Sequence, residues 1–379
     1  MRRSLTRREF SRLALALPFA GMLPASSVAS SNPIIDLYRR ATVIDGNLVP
    51  PLDDKPLSKE VVLAVRSSGI TAIKATIGGS TGDFAAVSQE IRDFDAAISA
   101  NATLYMKIVD RQSIDTAKRL RKLGLIYSFE AVTMLDGKLE RIDHFARMGV
   151  RVMQLSYNKQ SPFASGVLTP QPSSGLTPLG KEALQRMQSI GVTVDVSHCD
   201  TASTIAACAA AAKPILITHA GCAAVYDHPR NKSDDVLRAI SNVGGVVGIY
   251  DLSFLTPGPG QPLIDDYLAH LLHALNVCGE DHVGIGSDAL LMPFDTSAES
   301  VAEWNKDIAA RKASGVAAPG EGRPPFVEGL NRPDRSLIIA EKLVARKCPP
   351  RIVEKILGLN FLRVFAATWP SHLVAHTAV

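Results

Sequence analysis

Val192-Thr193-Val194-Asp195-Val196-Ser197-His198 and Ile215-Leu216-Ile217-Thr218-His219 share one form: a short β-branched run that ends on a histidine. Outward from these two, seven similar runs recur: Thr42–Leu48, Ile70–Ile77, Leu104–Val109, Leu125–Phe129, Val150–Ser156, Val246–Tyr250 and Val283–Gly286. Stretches with helical spacing lie between them, such as Phe84–Ile98, Leu179–Ile190 and Ser233–Ser241. Strands alternating with helices imply a parallel sheet, and about eight such units imply a closed (β/α)8 TIM-type barrel. Nine candidates for eight places mean that one lies outside the barrel or is no strand.

The chain has 379 residues, 46% of them hydrophobic and 21% charged, enough for a large buried core and too apolar for disorder. Its start reads as an address. Thr6-Arg7-Arg8-Glu9-Phe10 is a twin-arginine pattern, followed by an apolar run from Leu13 to Leu23 and then Ser27-Val28-Ala29. That order describes a cleavable signal of the route that exports folded proteins, and it predicts a periplasmic chain with no stable membrane anchor. The expected organisation is a signal over 1–29, a linker over 30–41, a barrel over 42–366 and a tail over 367–379. Five arginines and one glutamate lie in 1–29, so 36 basic and 36 acidic residues remain and the mature chain is neutral. A neutral surface gives nucleic acid no footing. The five cysteines form no CxxC pair and, being odd in number, no complete disulfide framework; they are expected as small core residues. Ser161–Pro178, Leu255–Pro262 and Ala313–Arg335 are rich in Pro, Gly and Ser and should be loops. A closing helix is expected over Ile352–Phe365.

The unusual residues sit at strand ends. Glu130 follows Leu125–Phe129, His198 and His219 end their runs, and Asp288 follows Val283–Gly286. In a parallel barrel every strand's C-terminal end lies on one rim, so four residues distant in sequence converge. Two imidazoles and a carboxylate with an open position make catalytic zinc coordination, which activates water and polarises a carbonyl. A single strand-end histidine is more often a hydrogen-bonded core residue; the shared rim is what favours ligands here. His144, His228, His270 and His273 fall on helices or loops and read as structural. Arg230, in Asp227-His228-Pro229-Arg230-Asn231, suits a bidentate grip on a carboxylate.

These stretches, with Gly175–Gly180, Gly244–Val247, Gly284–Asp288 and Asn360–Phe365, resemble the membrane (renal) dipeptidase family of zinc peptidases in order and spacing. The resemblance implies a metallo-dependent hydrolase barrel that cleaves dipeptides with zinc. Carried over, Glu130, His198 and His219 are metal ligands, Asp288 and Glu130 handle protons, and Arg230, Tyr157 and Asn231 face the substrate. Two departures matter. The family's His-x-Asp after Asp-Gly is here Asn47-Leu48-Val49, and Tyr157 stands where many members have a histidine. One zinc is therefore expected, with two as the alternative. Lys74 and Lys107, inside strands, either stand in for the missing ion or snorkel outward among helices. The function expected is metallodipeptidase, on a small-molecule substrate, with a homodimer left open. The alternatives are a one-metal hydrolase of another small amide, ester or lactone, and a non-catalytic binding protein.

Overall fold

The computed structural model describes residues 32–370; the signal expected over 1–29 and the end of the tail lie outside them. All nine expected runs contain strands: β1 (Ile44–Asp45), β2 (Ala72–Thr76), β3 (Tyr105–Ile108), β4 (Leu123–Phe129), β5 (Val152–Gln154), β6 (Thr193–Asp195), β7 (Leu216–Cys222), β8 (Val246–Ile249) and β9 (Val283–Ile285). Eight close a parallel ring in the order β1-β2-β4-β5-β6-β7-β8-β9 and back to β1. The ninth, β3, pairs only with β4. The reason lies in β4's length. Its Gly124–Ser128 stretch pairs with β2 along one edge, while the other edge is divided between β3 at residues 123–126 and β5 at 128–129. The fold is an eight-stranded parallel barrel wrapped in helices.

Side-chain caps set where several of those helices begin. Asp83, Asp110, Asp200 and Ser233 each accept the backbone N–H three residues on, satisfying one of the amides that a helix leaves without a partner at its start. The ring strands are buried on both sides, so they read as continuous apolar runs.

Two local features bear on the site. From Val247 to Ile249, β8 advances two residues while its partner β7 advances three, from Ile217 to Ala220. That extra residue is a β-bulge at Thr218–His219, a device that re-aims a side chain. It also pushes the Thr218 carbonyl into the barrel, where a Cβ on Gly286 would sit 1.8 Å from it and one on Gly248 2.1 Å. Only glycine fits at either place. The closing helix expected over Ile352–Phe365 is in fact broken: helices Pro350–Glu354 and Asn360–Thr368 are joined by a wide turn at Lys355–Leu359. Gly358 packs there against the chain entering β1, with its Cβ position 2.3 Å from the Thr42 carbonyl.

All five cysteines are free thiols; four are buried and Cys348 is half-buried. Among the described residues no helix is long and apolar enough to cross a membrane.

Candidate active site

Among the described residues one group of metal-ligating side chains converges: Glu130, His198 and His219, whose ligand atoms lie within 4.8 Å of one another, all buried. Glu130 directly follows β4, His198 lies three residues beyond β6, and His219 sits on the bulge of β7. His198 Nε2 is 3.0 Å from His219 Nε2 and 3.7 Å from Glu130 Oε2.

The hydrogen bonds behind the rings fix both tautomers. Asn158 Nδ2 donates to the Val316 carbonyl at 2.8 Å, so Asn158 Oδ1 accepts from His198 Nδ1 at 2.7 Å. Thr218 Oγ1 donates to Asp195 Oδ2 at 2.6 Å and therefore accepts from His219 Nδ1 at 2.9 Å. Each ring thus places its proton on Nδ1 and turns its Nε2 toward the other ring and the Glu130 carboxylate. Burial, and then the cations Arg230 and Lys232 nearby, hold His198 well below the usual imidazole range, so it stays neutral. Two imidazole nitrogens and a carboxylate oxygen are the ligand types zinc takes, and 3.0 Å is close to the ~3.3 Å edge of a tetrahedron with ~2.0 Å zinc–nitrogen bonds. The donor set fits a metal ion.

Beside this group lies a second network. Lys74, 1% exposed, points into the barrel, with Nζ 2.9 Å from Asn47 Oδ1 and 3.9 Å from both Glu130 Oε1 and Asp195 Oδ2. Asn47 Nδ2 donates to Glu130 Oε1 at 2.9 Å and to Asp288 Oδ1 at 2.7 Å. Thr76 Oγ1 donates to Glu130 Oε1 at 2.7 Å. Asp288 is in the left-handed region at φ +51°, its N–H bonded to the Asn47 carbonyl, and its Oδ2 is 4.0 Å from His219 Nε2. Lys107 takes the other course, facing outward onto Asp95 at 2.8 Å and over the Tyr127 ring.

Arg230 is 2% exposed; Nη1 donates to the Ser197 carbonyl at 3.1 Å, and Nη2 has no partner. A buried guanidinium N–H left unsatisfied marks a place for an acceptor supplied from outside. Tyr157 stacks on the His198 ring, centroids 4.3 Å apart. Asn231 commits its amide to the Tyr226 and Phe254 carbonyls at 2.7 and 2.9 Å and its oxygen to Tyr250, which places it as a brace under the Arg230 loop. Asp45 is likewise spent, accepting from Ser287 and from the Asn47 amide.

Thr76, Asn158, Arg311 and Lys232 did not stand out in the sequence. Asn158 and Lys232 carried one usable signal, each being the neighbour of a singled-out rim residue, Tyr157 and Asn231. Arg311 carried none; it comes from helix Ala298–Ala313, pairs with Glu321 and donates to Tyr157 Oη at 3.2 Å.

Lys232, fully buried, donates to the Cys199 carbonyl at 2.7 Å, and burial, then Arg230, pull it down to about 7. Below that pH it is charged in both the folded and the unfolded chain, and folding carries the full cost of burying the charge. Well above the unfolded lysine value the cost vanishes, so stability rises with pH through this window. Urea unfolding at pH 7 and pH 9 should show wild type gaining roughly 2–3 kcal/mol more than Lys232→Met. Equal gains would assign the titration elsewhere.

The comparisons agree with this geometry. The family model for membrane dipeptidase (Peptidase family M19) matches residues 76–313. An uncharacterized dipeptidase of Schizosaccharomyces pombe is 32% identical over 253 residues, covering 65% of this chain and 53% of its own. A dipeptidase of Claviceps purpurea is 26% identical over 248 residues, covering 65% and 51%. The matches span about half the length of these curated relatives. An amidohydrolase structure from Pseudomonas aeruginosa superposes with a TM-score of 0.75 at 26% identity, covering 89% of this chain and 99% of that one. With the barrel, the facing imidazoles and a family match over most of its length, the chain belongs to the membrane dipeptidase family, Peptidase family M19.

Proposed function

We propose that this chain is a metallodipeptidase whose centre holds one zinc ion, on His198, His219 and Glu130. The observation that carries the reading is the convergence of ligand atoms from Glu130, His198 and His219 within 4.8 Å of one another, with the two Nε2 atoms 3.0 Å apart. An ion held there supplies Lewis acidity, lowering the pKa of water and polarising a carbonyl. The rest falls to the chain's own groups. Asp288 Oδ2, on the His219 side, accepts and returns the proton of the hydrolytic step, with Glu130 the second carboxylate in reach. Arg230 Nη2 takes the substrate's C-terminal carboxylate, which selects dipeptides by placing that charge near the scissile bond. Tyr157 lines the His198 side of the substrate space.

The single-ion reading rests on Asn47 and Lys74. Asn47 replaces the first ligand of the family's other metal, and the Lys74 ammonium lies between the carboxylates that such an ion would neutralise. A dication beside a buried ammonium is repelled. The twin-arginine pattern Thr6–Phe10 supports the periplasm as the place of action.

The test is zinc content together with turnover on dipeptides, N-acyl amino acids and lactones. One equivalent of zinc, with dipeptide turnover lost to a chelator and restored by zinc, is the expected result. Two equivalents overturn the single-ion reading, and preference for a lactone or N-acyl amino acid overturns the substrate.

A further inference from the structure

Two ligating histidines in one centre are oriented from opposite directions. His219 takes its tautomer from inside the barrel, through Thr218 and the buried Asp195. His198 takes its own from outside, through Asn158, and Asn158 is held by the loop that follows helix Ala298–Ala313. We propose that Asn158 is a positioning residue of the metal centre: it keeps His198 in the tautomer whose Nε2 faces the ion, and segment 314–321 locks it there. This rests on the metal-centre reading above.

Asn158 is 2% exposed and pinned on every side. Its backbone is at φ +23°, a left-handed value that Asn adopts more readily than most residues. Its carbonyl accepts from Leu168 N at 2.6 Å, and Gly166 packs so closely that a Cβ there would lie 2.4 Å from the Asn158 carbonyl carbon. Its amide can only donate to the Val316 carbonyl, which leaves its oxygen for His198. Segment 314–321 is fastened on both sides of that bond. Lys159 Nζ donates to the Ser314 carbonyl at 3.1 Å. His228 accepts the Arg230 N–H on Nδ1 and so donates from Nε2 to the Pro319 carbonyl at 2.7 Å. Glu321 holds Arg311 against Tyr157. Tyr157, Asn158 and His228, each beside His198 or Arg230, thus depend on one surface loop. Rotating the Asn158 amide would set its NH2 against His198 Nδ1, shift the ring proton to Nε2 and block the ligand position.

A purely structural Asn158 would tie two loops and nothing more. Zinc affinity, measured on the full chain by competition with a chelator, separates the two roles. Asn158→Gly keeps the backbone unstrained and removes the clamp; its zinc Kd should rise by about 10–100-fold. Asn158→Asp loses the bond to Val316 but keeps an acceptor for His198, so it should be less stable yet recover most of the affinity. Asn331→Gly, which cuts two comparable bonds to the Phe294 backbone away from the centre, should lower the thermal midpoint and leave zinc Kd unchanged. An Asn158→Gly chain that binds zinc within about two-fold of wild type overturns the proposal. So does an Asp variant as weak as the Gly variant. Wild type that takes up no zinc overturns the functional reading itself, a different and separable result.

Discussion

Lys74→Met is expected to lower stability by about 3–5 kcal/mol, and added zinc is expected to return much of that loss. The ammonium is 1% exposed and lies 3.9 Å from Glu130 Oε1 and from Asp195 Oδ2. Removing one partner from a buried ionic cluster leaves the charges of the others without their compensation, which costs far more than the lost contact. Methionine keeps the volume, so the loss measures charge and not a cavity. On a chain of this size the thermal midpoint should fall on the order of 5–10 °C. A dication entering the vacated space would meet Glu130 Oε1 and Asp195 Oδ2, whereas in wild type it meets the ammonium. The companion variant adds a second pair of ligands: Asn47→His and Val49→Asp together with Lys74→Met should hold two zinc equivalents where one is expected for wild type. A Lys74→Met chain as stable as wild type, or a triple variant that still holds a single ion, would show that Lys74 does not take the place of a metal.

The barrel was legible because its strands are long enough as apolar runs to be counted, and because their C-terminal ends must share a rim. That geometric fact alone brought Glu130, His198 and His219 within 4.8 Å. What stayed hidden depended on side-chain direction. Ring strands are buried on both faces, so although Lys74 and Thr76 share one face of Ala72–Thr76, nothing in the stretch says whether that face points inward or toward the helices. Lys74 and Lys107 therefore looked alike, though one is in the site and the other on the outer face, in the strand left off the ring. The break in the last helix was unreadable for a similar reason. Gly358 weakens the helical pattern in sequence without ending it, and only its approach to the chain before β1 shows why the helix breaks there. Asn158 was missed because its task is defined by two partners, His198 and Val316, separated from it by 40 and 158 positions.

Arg230→Met should reduce kcat/KM on a dipeptide by about 10²–10³-fold while leaving stability unchanged or higher. The guanidinium is 2% exposed, and its described hydrogen bond to Ser197 uses Nη1, leaving Nη2 without a partner. A chain shaped only for stability would not keep a buried cationic N–H unsatisfied, since that carries a desolvation cost of about 1–3 kcal/mol or more. The cost is recovered when a carboxylate arrives and the bond is charge-assisted. Substrate chemistry isolates that contribution. The same dipeptide with its C-terminus amidated offers no carboxylate, so wild type should handle it poorly and Arg230→Met no worse than wild type. Zinc content should be the same in both proteins, because Arg230 is not among the three side chains that converge as ligands. Equal losses on the free acid and on the amide would instead make Arg230 a general support of the His198 loop, through its bond to the Ser197 carbonyl, and the dipeptide selectivity would need another source.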